Sequence, residues 1–124
     1  MSTTANCPFC MASEAVLRND LAFAIYDRAP VAPGHMLIIP RRHVADWFDT
    51  TPQEQSAMLA LLELSRTLLR RERRPDGFNF GVNCGEAAGQ SIFHVHMHLI
   101  PRYRGDMDDP LGGVRGVIPA RQKY

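Results

Sequence analysis

A chain of 124 residues, 45% hydrophobic and 22% charged, has room for one hydrophobic core and is neither disordered nor membrane-like in composition. Its formal net charge of +1 provides no global basic field for nucleic acid, and no apolar run approaches the ~20 residues of a membrane span. The start, Met1-Ser2-Thr3-Thr4-Ala5-Asn6, lacks the basic-then-apolar pattern of a secretory signal, so a cytoplasmic protein with a single domain over residues 1–124 is expected.

Cys7-Pro8-Phe9-Cys10 opens the informative part of the chain. With Cys84 the cysteines number three, an odd count that argues against a disulfide framework. A redox CxxC belongs after a strand in a βαβ unit; no strand precedes this one, so metal is the better functional reading. Ser13 to Arg18 is expected to form a short helix capped by Ser13. Leu21 to Tyr26 is apolar and partly aromatic, a strand; Asp27 to Gly34 holds two prolines and a glycine, a loop; His35 to Ile39 is the returning strand of a long hairpin, ended by Pro40.

Thr51-Pro52-Gln53-Glu54 supplies a threonine cap, a proline at the first helical position and a glutamate at the third, which is a capping box. Met58, Leu61, Leu62, Leu68 and Leu69 continue an apolar stripe spaced mostly by three or four. Arg66, Arg70, Arg71, Arg73 and Arg74 crowd the helix end. They suit the negative pole of its dipole, and no aromatic residue interleaves them as nucleic-acid stacking requires. Pro75-Asp76-Gly77 stops the helix. Phe78 to Asn83 is the next strand, followed by the glycine-rich loop Gly85 to Gly89. The tail, 106–124, is expected to be mostly irregular with one short strand at Val114 to Ile118.

The run His94-Val95-His96-Met97-His98-Leu99-Ile100 is read as a strand, and its spacing puts three imidazoles on one face, with Val95, Met97 and Leu99 on the other. Three of the five histidines fall within it, a concentration that packing alone does not require. Two chemistries fit: zinc ligation by the three imidazoles, and nucleophilic catalysis by one of them. The preceding loop supports the second. Gly85 and Gly89 permit an anion nest of backbone N–H groups, and Gln90 and Ser91 add donors for phosphate oxygens. A phosphate site beside a histidine nucleophile indicates phosphoryl or nucleotidyl transfer.

These residues resemble the histidine triad (HIT) family of nucleotide hydrolases and transferases, whose hallmark is three histidines alternating with hydrophobic residues. His94 to Ile100 matches at every position. Asn83-Cys84-Gly85-Glu86-Ala87-Ala88-Gly89-Gln90-Ser91 is similar to the family's Asn-x-Gly-x-x-x-Gly-Gln-Ser stretch, and Pro33-Gly34-His35 and Pro40 to Val44 resemble its hairpin. The likeness runs from residue 7 to about 105. It implies an α+β fold, an antiparallel sheet of about five strands with one long helix, joined across a two-fold homodimer.

By position, the resemblance implies that His96 attacks the α-phosphorus to give a covalent nucleotidyl-histidine, that His98 contacts the phosphate, and that His94 orients the site or binds metal. His35 becomes a neighbouring imidazole; Asn83, Gly89, Gln90 and Ser91 hold phosphate oxygens; Asp27 accepts the ribose hydroxyls. Cys7, Cys10, His43 and His94 would make a structural Cys2His2 zinc site, with no organic cofactor. The substrate implied is an adenine-containing nucleotide, either a dinucleoside polyphosphate or a nucleoside phosphoramidate. Pro101-Arg102 with Gly105-Asp106 looks closer to the fragile histidine triad branch, which splits the former. Phe9, Leu21, Phe23 and Ile25 are candidates for the base pocket. Competing expectations are a zinc hydrolase using all three histidines as ligands and a non-catalytic nucleotide-binding module. Neither nucleic acid nor membrane is expected as a partner.

Overall fold

The computed structural model describes residues 6–124. Most of the N-terminal stretch read above for a signal, and the first five residues of the expected 1–124 domain, lie outside the described residues. Five strands and one long helix follow in the order β1 (Leu17–Arg18), β2 (Ala22–Tyr26), β3 (Met36–Pro40), α1 (Pro52–Arg73), β4 (Gly77–Val82) and β5 (Met97–Arg102). The strands form one antiparallel sheet, ordered β1-β2-β3-β5-β4. This is the α+β architecture expected, and no helix among the described residues is long and apolar enough to cross a membrane.

β2 and β3 are apolar at nearly every position because both faces of the sheet are covered there. On one face Ala22, Ala24, Met36, Ile38, Met97 and Leu99 pack against Met58, Leu61 and Leu69 of α1. On the other, Phe23, Ile25, Leu37 and Ile39 pack against Cys7 and Phe9 of the irregular N-terminal segment. Leu37 is the ladder partner of His98, so the imidazole lies on this second face, away from the helix.

The capping box at Thr51 is formed: its hydroxyl accepts from the Glu54 N–H at 3.0 Å, and the Glu54 carboxylate accepts from the Thr51 N–H at 2.9 Å. The same buried carboxylate takes two hydrogen bonds from Arg42, from Nε at 3.0 Å and Nη2 at 2.8 Å. Arg42 lies two residues past the end of β3, so the helix start is tied to the end of a central strand. At the other end Arg74 enters the left-handed region, φ 49°, and its N–H returns to the Leu69 carbonyl at 3.2 Å. Gly34, φ +91°, turns the hairpin loop into β3, and a Cβ there would lie 2.9 Å from Leu69 Cδ2. Arg102 braces the sheet beyond, holding Asp106 through two 2.7 Å hydrogen bonds and the Asn79 side chain of β4 at 2.7 Å.

Three expectations are corrected. Ser13 to Arg18 is not helical: Val16 donates to the Ala24 carbonyl at 2.8 Å and Leu17–Arg18 pairs with β2. A six-residue helix has a costly nucleus, and the open edge of the hairpin offers better hydrogen bonds. Val114 to Ile118 is not a strand: with glycines at 112 and 113 in positive-φ conformations, the segment winds into 3-10 turns at Gly113–Val117 and Pro119–Arg121. The histidine run joins the ladder only at Met97; His94 to His96 precede it in bent and irregular backbone, linked by the Val95 N–H to the Val44 carbonyl at 2.8 Å.

The shared role of Glu54 sets an order of stabilities. Thr51→Ala removes one cap bond and is expected to cost about 1 kcal/mol. Glu54→Ala removes the reciprocal cap and the Arg42 partner together and is expected to cost about 2–3 kcal/mol. Urea unfolding followed by Trp47 fluorescence measures both; equal costs would show that the Arg42 contacts contribute nothing.

Candidate active site and metal-ligand cluster

A cavity of about 420 Å³ opens on the second face of the sheet. Its polar lining is His96 and His98 with Asn83, Gly89, Ser91 and Asp27; its apolar lining includes Phe9, Ile25 and Leu37. Of the residues expected to bind the base, Phe9 and Ile25 line this cavity. Leu21 stays partly exposed at the surface and Phe23 sits in the core, neither lining it.

The loop from Gly85 to Ser91 makes a 3-10 turn, Glu86–Ala88, and leaves it through Gly89 at φ +94°, a conformation open to glycine. Gln90 is buried and does not line the cavity. Its Oε1 accepts from the Gly85 N–H at 2.8 Å, and its Nε2 donates to the Ala45 and Ile92 carbonyls at 2.7 and 3.1 Å. An amide so fully engaged braces the loop and has no donor left for a phosphate. The expectation of a direct phosphate contact from Gln90 is therefore corrected.

Each imidazole has a partner that assigns its proton. His96 Nδ1 faces the His94 carbonyl at 3.0 Å. A carbonyl only accepts, so Nδ1 carries the hydrogen and Nε2 keeps a lone pair. The Val31 N–H donates to His35 Nδ1 at 3.0 Å. His35 Nε2 therefore carries its proton and donates to His98 Nδ1 at 2.9 Å, with Asp27 Oδ2 3.4 Å away. That leaves His98 with its hydrogen on Nε2. The cavity lining thus contains a free imidazole lone pair beside an N–H donor, with ring centroids 5.1 Å apart.

Burial pulls His35, His94 and His96 below the ordinary imidazole range. For His98, burial and then the neighbouring His96 and His35 lower it to about 4. His98 is therefore neutral at pH 7.

His94 points elsewhere. It is fully buried, its Nε2 donates to the Pro40 carbonyl at 2.7 Å, and its Nδ1 lies 3.4 Å from both Cys7 Sγ and Cys10 Sγ. Cys10 Sγ is 3.2 Å from His43 Nδ1, and one ligand atom from each of the four residues falls within 4.8 Å of the others. Tetrahedral ligation with typical zinc–sulfur and zinc–nitrogen bonds places sulfur and nitrogen about 3.5 Å apart, so these residues fit a closed four-ligand metal. The Pro40 carbonyl supplies the outer hydrogen bond that holds a ligating imidazole in the required tautomer.

Asp27, His35 and His98 also converge within 4.8 Å. A metal on His35 Nε2 would force that ring's proton onto Nδ1, against the Val31 N–H, so the hydrogen-bonded relay is the stable use of this group. His94, His96 and His98 do not form a ligand cluster among the described residues.

The positions of Glu14 and Arg28, which face the same cavity as an ion pair at 2.9 Å, carried no sequence signal. The backbone acceptors at Pro40 and His94 carried none either, because every residue type supplies a carbonyl.

A family model described as the HIT domain matches residues 11–105, more than half of the chain. An AP-4-A phosphorylase of Mycobacterium tuberculosis is 36% identical over 107 residues, 84% of this chain; the match spans 54% of that relative's length. The crystal structure of a HIT family protein from Bacillus anthracis superposes with a TM-score of 0.77 at 36% identity, covering 84% of this chain and 78% of that one. A Zn-bound histidine triad family protein from Mycobacterium smegmatis superposes with a TM-score of 0.76 at 32% identity, covering 84% and 80%.

The relay gives His98 a distinct signature. In nitrogen-detected NMR it is expected to show the Nε2–H tautomer and to protonate only near pH 4. The unfolded ring titrates at about 6.5, so its contribution to stability is full above that value and is lost as pH falls towards 4. A His98 midpoint near the ordinary value, or the Nδ1–H tautomer, would break the proton assignment.

Proposed function

The chain belongs to the HIT domain family, and from that premise we propose that it is a nucleotide hydrolase or nucleotidyl transferase in which His96 is the nucleophile. The observation that carries this reading is the His96 Nδ1–H bond to the His94 carbonyl, 3.0 Å, which leaves Nε2 as a lone pair in the cavity beside a second imidazole. A nucleotidyl substrate would place its α-phosphorus before that lone pair, with the ribose hydroxyls towards Asp27 and the base against Phe9 and Ile25. The backbone at Gly89 and the Asn83 and Ser91 side chains are the phosphate donors.

His96 Nε2 forms the bond to phosphorus as the bridging bond to the leaving group breaks. The leaving atom takes the electron pair, and its developing negative charge is met by a hydrogen bond from the neutral His98 Nε2–H, which keeps its proton. Positive charge developing on His96 is met by the His94 carbonyl at its other nitrogen, an acceptor already in place. Attack by water, or by phosphate, on the nucleotidyl-histidine then releases the nucleotide and restores His96. The match to a relative named for AP-4-A supports dinucleoside polyphosphates as the substrate class.

Cys7, Cys10, His43 and His94 would hold zinc as a structural cross-link. The closed donor set leaves no position for substrate, and the likeness to a Zn-bound relative supports this choice of metal. A cytoplasmic setting suits cysteines kept reduced for that purpose. A homodimer fits the same family reading: β4 is a sheet edge, and its Phe80 is 57% exposed there.

Labelling, turnover, nucleotide binding and metal analysis test the reading. Mixed with a dinucleoside polyphosphate labelled at the α-phosphate, the protein is expected to carry label on His96. His96→Ala is expected to lose turnover by about 10³-fold or more while keeping its circular dichroism spectrum; undiminished turnover would sink the nucleophile assignment. Nucleotide binding without turnover across polyphosphates and phosphoramidates would favour the binding module. Metal analysis of purified protein is expected to give one zinc per chain, lost in Cys10→Ser; a metal-free wild-type chain purified without chelator would remove zinc from the account.

A further inference from the structure

Phe9 lies between the two cysteines of the metal cluster and also forms a wall of the nucleotide cavity. Its ring meets His96 edge-on, with centroids 4.9 Å apart and planes at 61°, and meets His94 at 6.0 Å and 87°. Pro8 and Ala12, on the same segment, line the cavity too. The segment has no strand or helix of its own. Its backbone is tied by the Cys10 N–H to Cys7 Sγ at 3.4 Å and the Ala12 N–H to the Phe9 carbonyl at 3.4 Å. Among the described residues it is held to the sheet by the packing of Cys7 and Phe9 on Phe23, Ile25, Leu37 and Ile39 and by the contacts of the two cysteines with His43 and His94.

We propose that the Cys7–Cys10 segment couples the metal to the nucleotide, with Phe9 as the positioning residue that transmits metal occupancy to the cavity wall and to the ring of His96. This rests on the nucleotide and zinc assignments above. The two ligands share two physical connections. Through Phe9, the four-ligand cross-link fixes a wall that the nucleoside must lie against. Through His94, whose side chain is a ligand and whose carbonyl receives the His96 Nδ1–H, it fixes the backbone that orients the nucleophile. Ordering the segment costs conformational entropy, and a metal that has already met this cost spares the nucleotide from meeting it. The coupling must be reciprocal: AMP raises zinc affinity by the same factor as zinc raises AMP affinity.

The test uses AMP as the probe and binding as the readout. Isothermal titration of AMP into the zinc-loaded wild-type chain and into the chain stripped by chelator is expected to give a Kd ratio of about fivefold or more, within the usual span of allosteric coupling. Competition of AMP-saturated protein against a zinc-chelating dye is expected to show the same ratio. Phe9→Ala is expected to keep its zinc, bind AMP more weakly, and show the zinc effect on AMP reduced towards unity; Phe9→Tyr is expected to restore both. If AMP binds zinc-loaded and stripped wild-type chains equally, with matching circular dichroism spectra, the coupling is overturned while the nucleotide assignment stands. If the stripped chain unfolds, the dye competition decides: zinc affinity raised by saturating AMP in the wild-type chain, with that effect reduced towards unity in Phe9→Ala, supports the proposal, and a zinc affinity that AMP leaves unchanged in the wild-type chain, or raises equally in both chains, overturns it. Failure of AMP to bind the zinc-loaded wild-type chain overturns the nucleotide assignment and this inference together.

Discussion

A sheet that is apolar on both faces needs two covers, and this chain has one long helix. α1 covers the face of Ala24, Ile38 and Met97. The opposite face, with Phe23, Ile25, Leu37 and Ile39, is covered by the irregular segment bearing Cys7 and Phe9. Much of the site follows from this asymmetry. A second helix would have sealed the face, whereas a short irregular cover leaves a cavity beside it into which His96 and His98 face. The cover has few backbone hydrogen bonds of its own, so its attachment falls to side chains. A cluster of four soft and borderline ligands is a compact way to make that attachment.

The histidines show a related economy. The tautomer of each is set by what lies behind it. Carbonyls accept from His94 Nε2 and His96 Nδ1, whereas a backbone N–H acts on His98 indirectly, through His35. None of these groups is charged, and together they select which nitrogen offers a lone pair and which a proton. Burial works in the same direction by disfavouring the imidazolium, so the proposed nucleophile is not consumed by protonation near neutral pH.

The sequence revealed those features whose physics is local. The capping box needs only Thr51 and Glu54 in adjacent turns, and it formed. The hairpin needs two apolar runs around Pro33-Gly34, and it formed. Cys7-x-x-Cys10 signals a metal because two thiols at that spacing can share one ion. What remained hidden was set by tertiary partners. Periodicity places His94, His96 and His98 on one face only if all lie in the ladder, and the chain enters it at Met97. Gln90 has the right chemistry for phosphate, but the Gly85 N–H and two carbonyls claim its amide first. Ser13 to Arg18 had a helix cap, but the edge of β2 outweighed it.

That departure from the ladder has a chemical use. Three imidazoles converging from one strand face would form a good metal site, and a metal bound there would take the lone pair that the proposed reaction needs. Turning His94 towards Cys7, Cys10 and His43 would give a metal a better donor set, with two thiols that His96 and His98 cannot match. The His94 carbonyl, fixed by the same turn, holds Nδ1 of His96 and leaves the opposite nitrogen free. The short bent stretch before Met97 would therefore separate the proposed ligand from the proposed nucleophile within three residues, and do so through the residue that serves both.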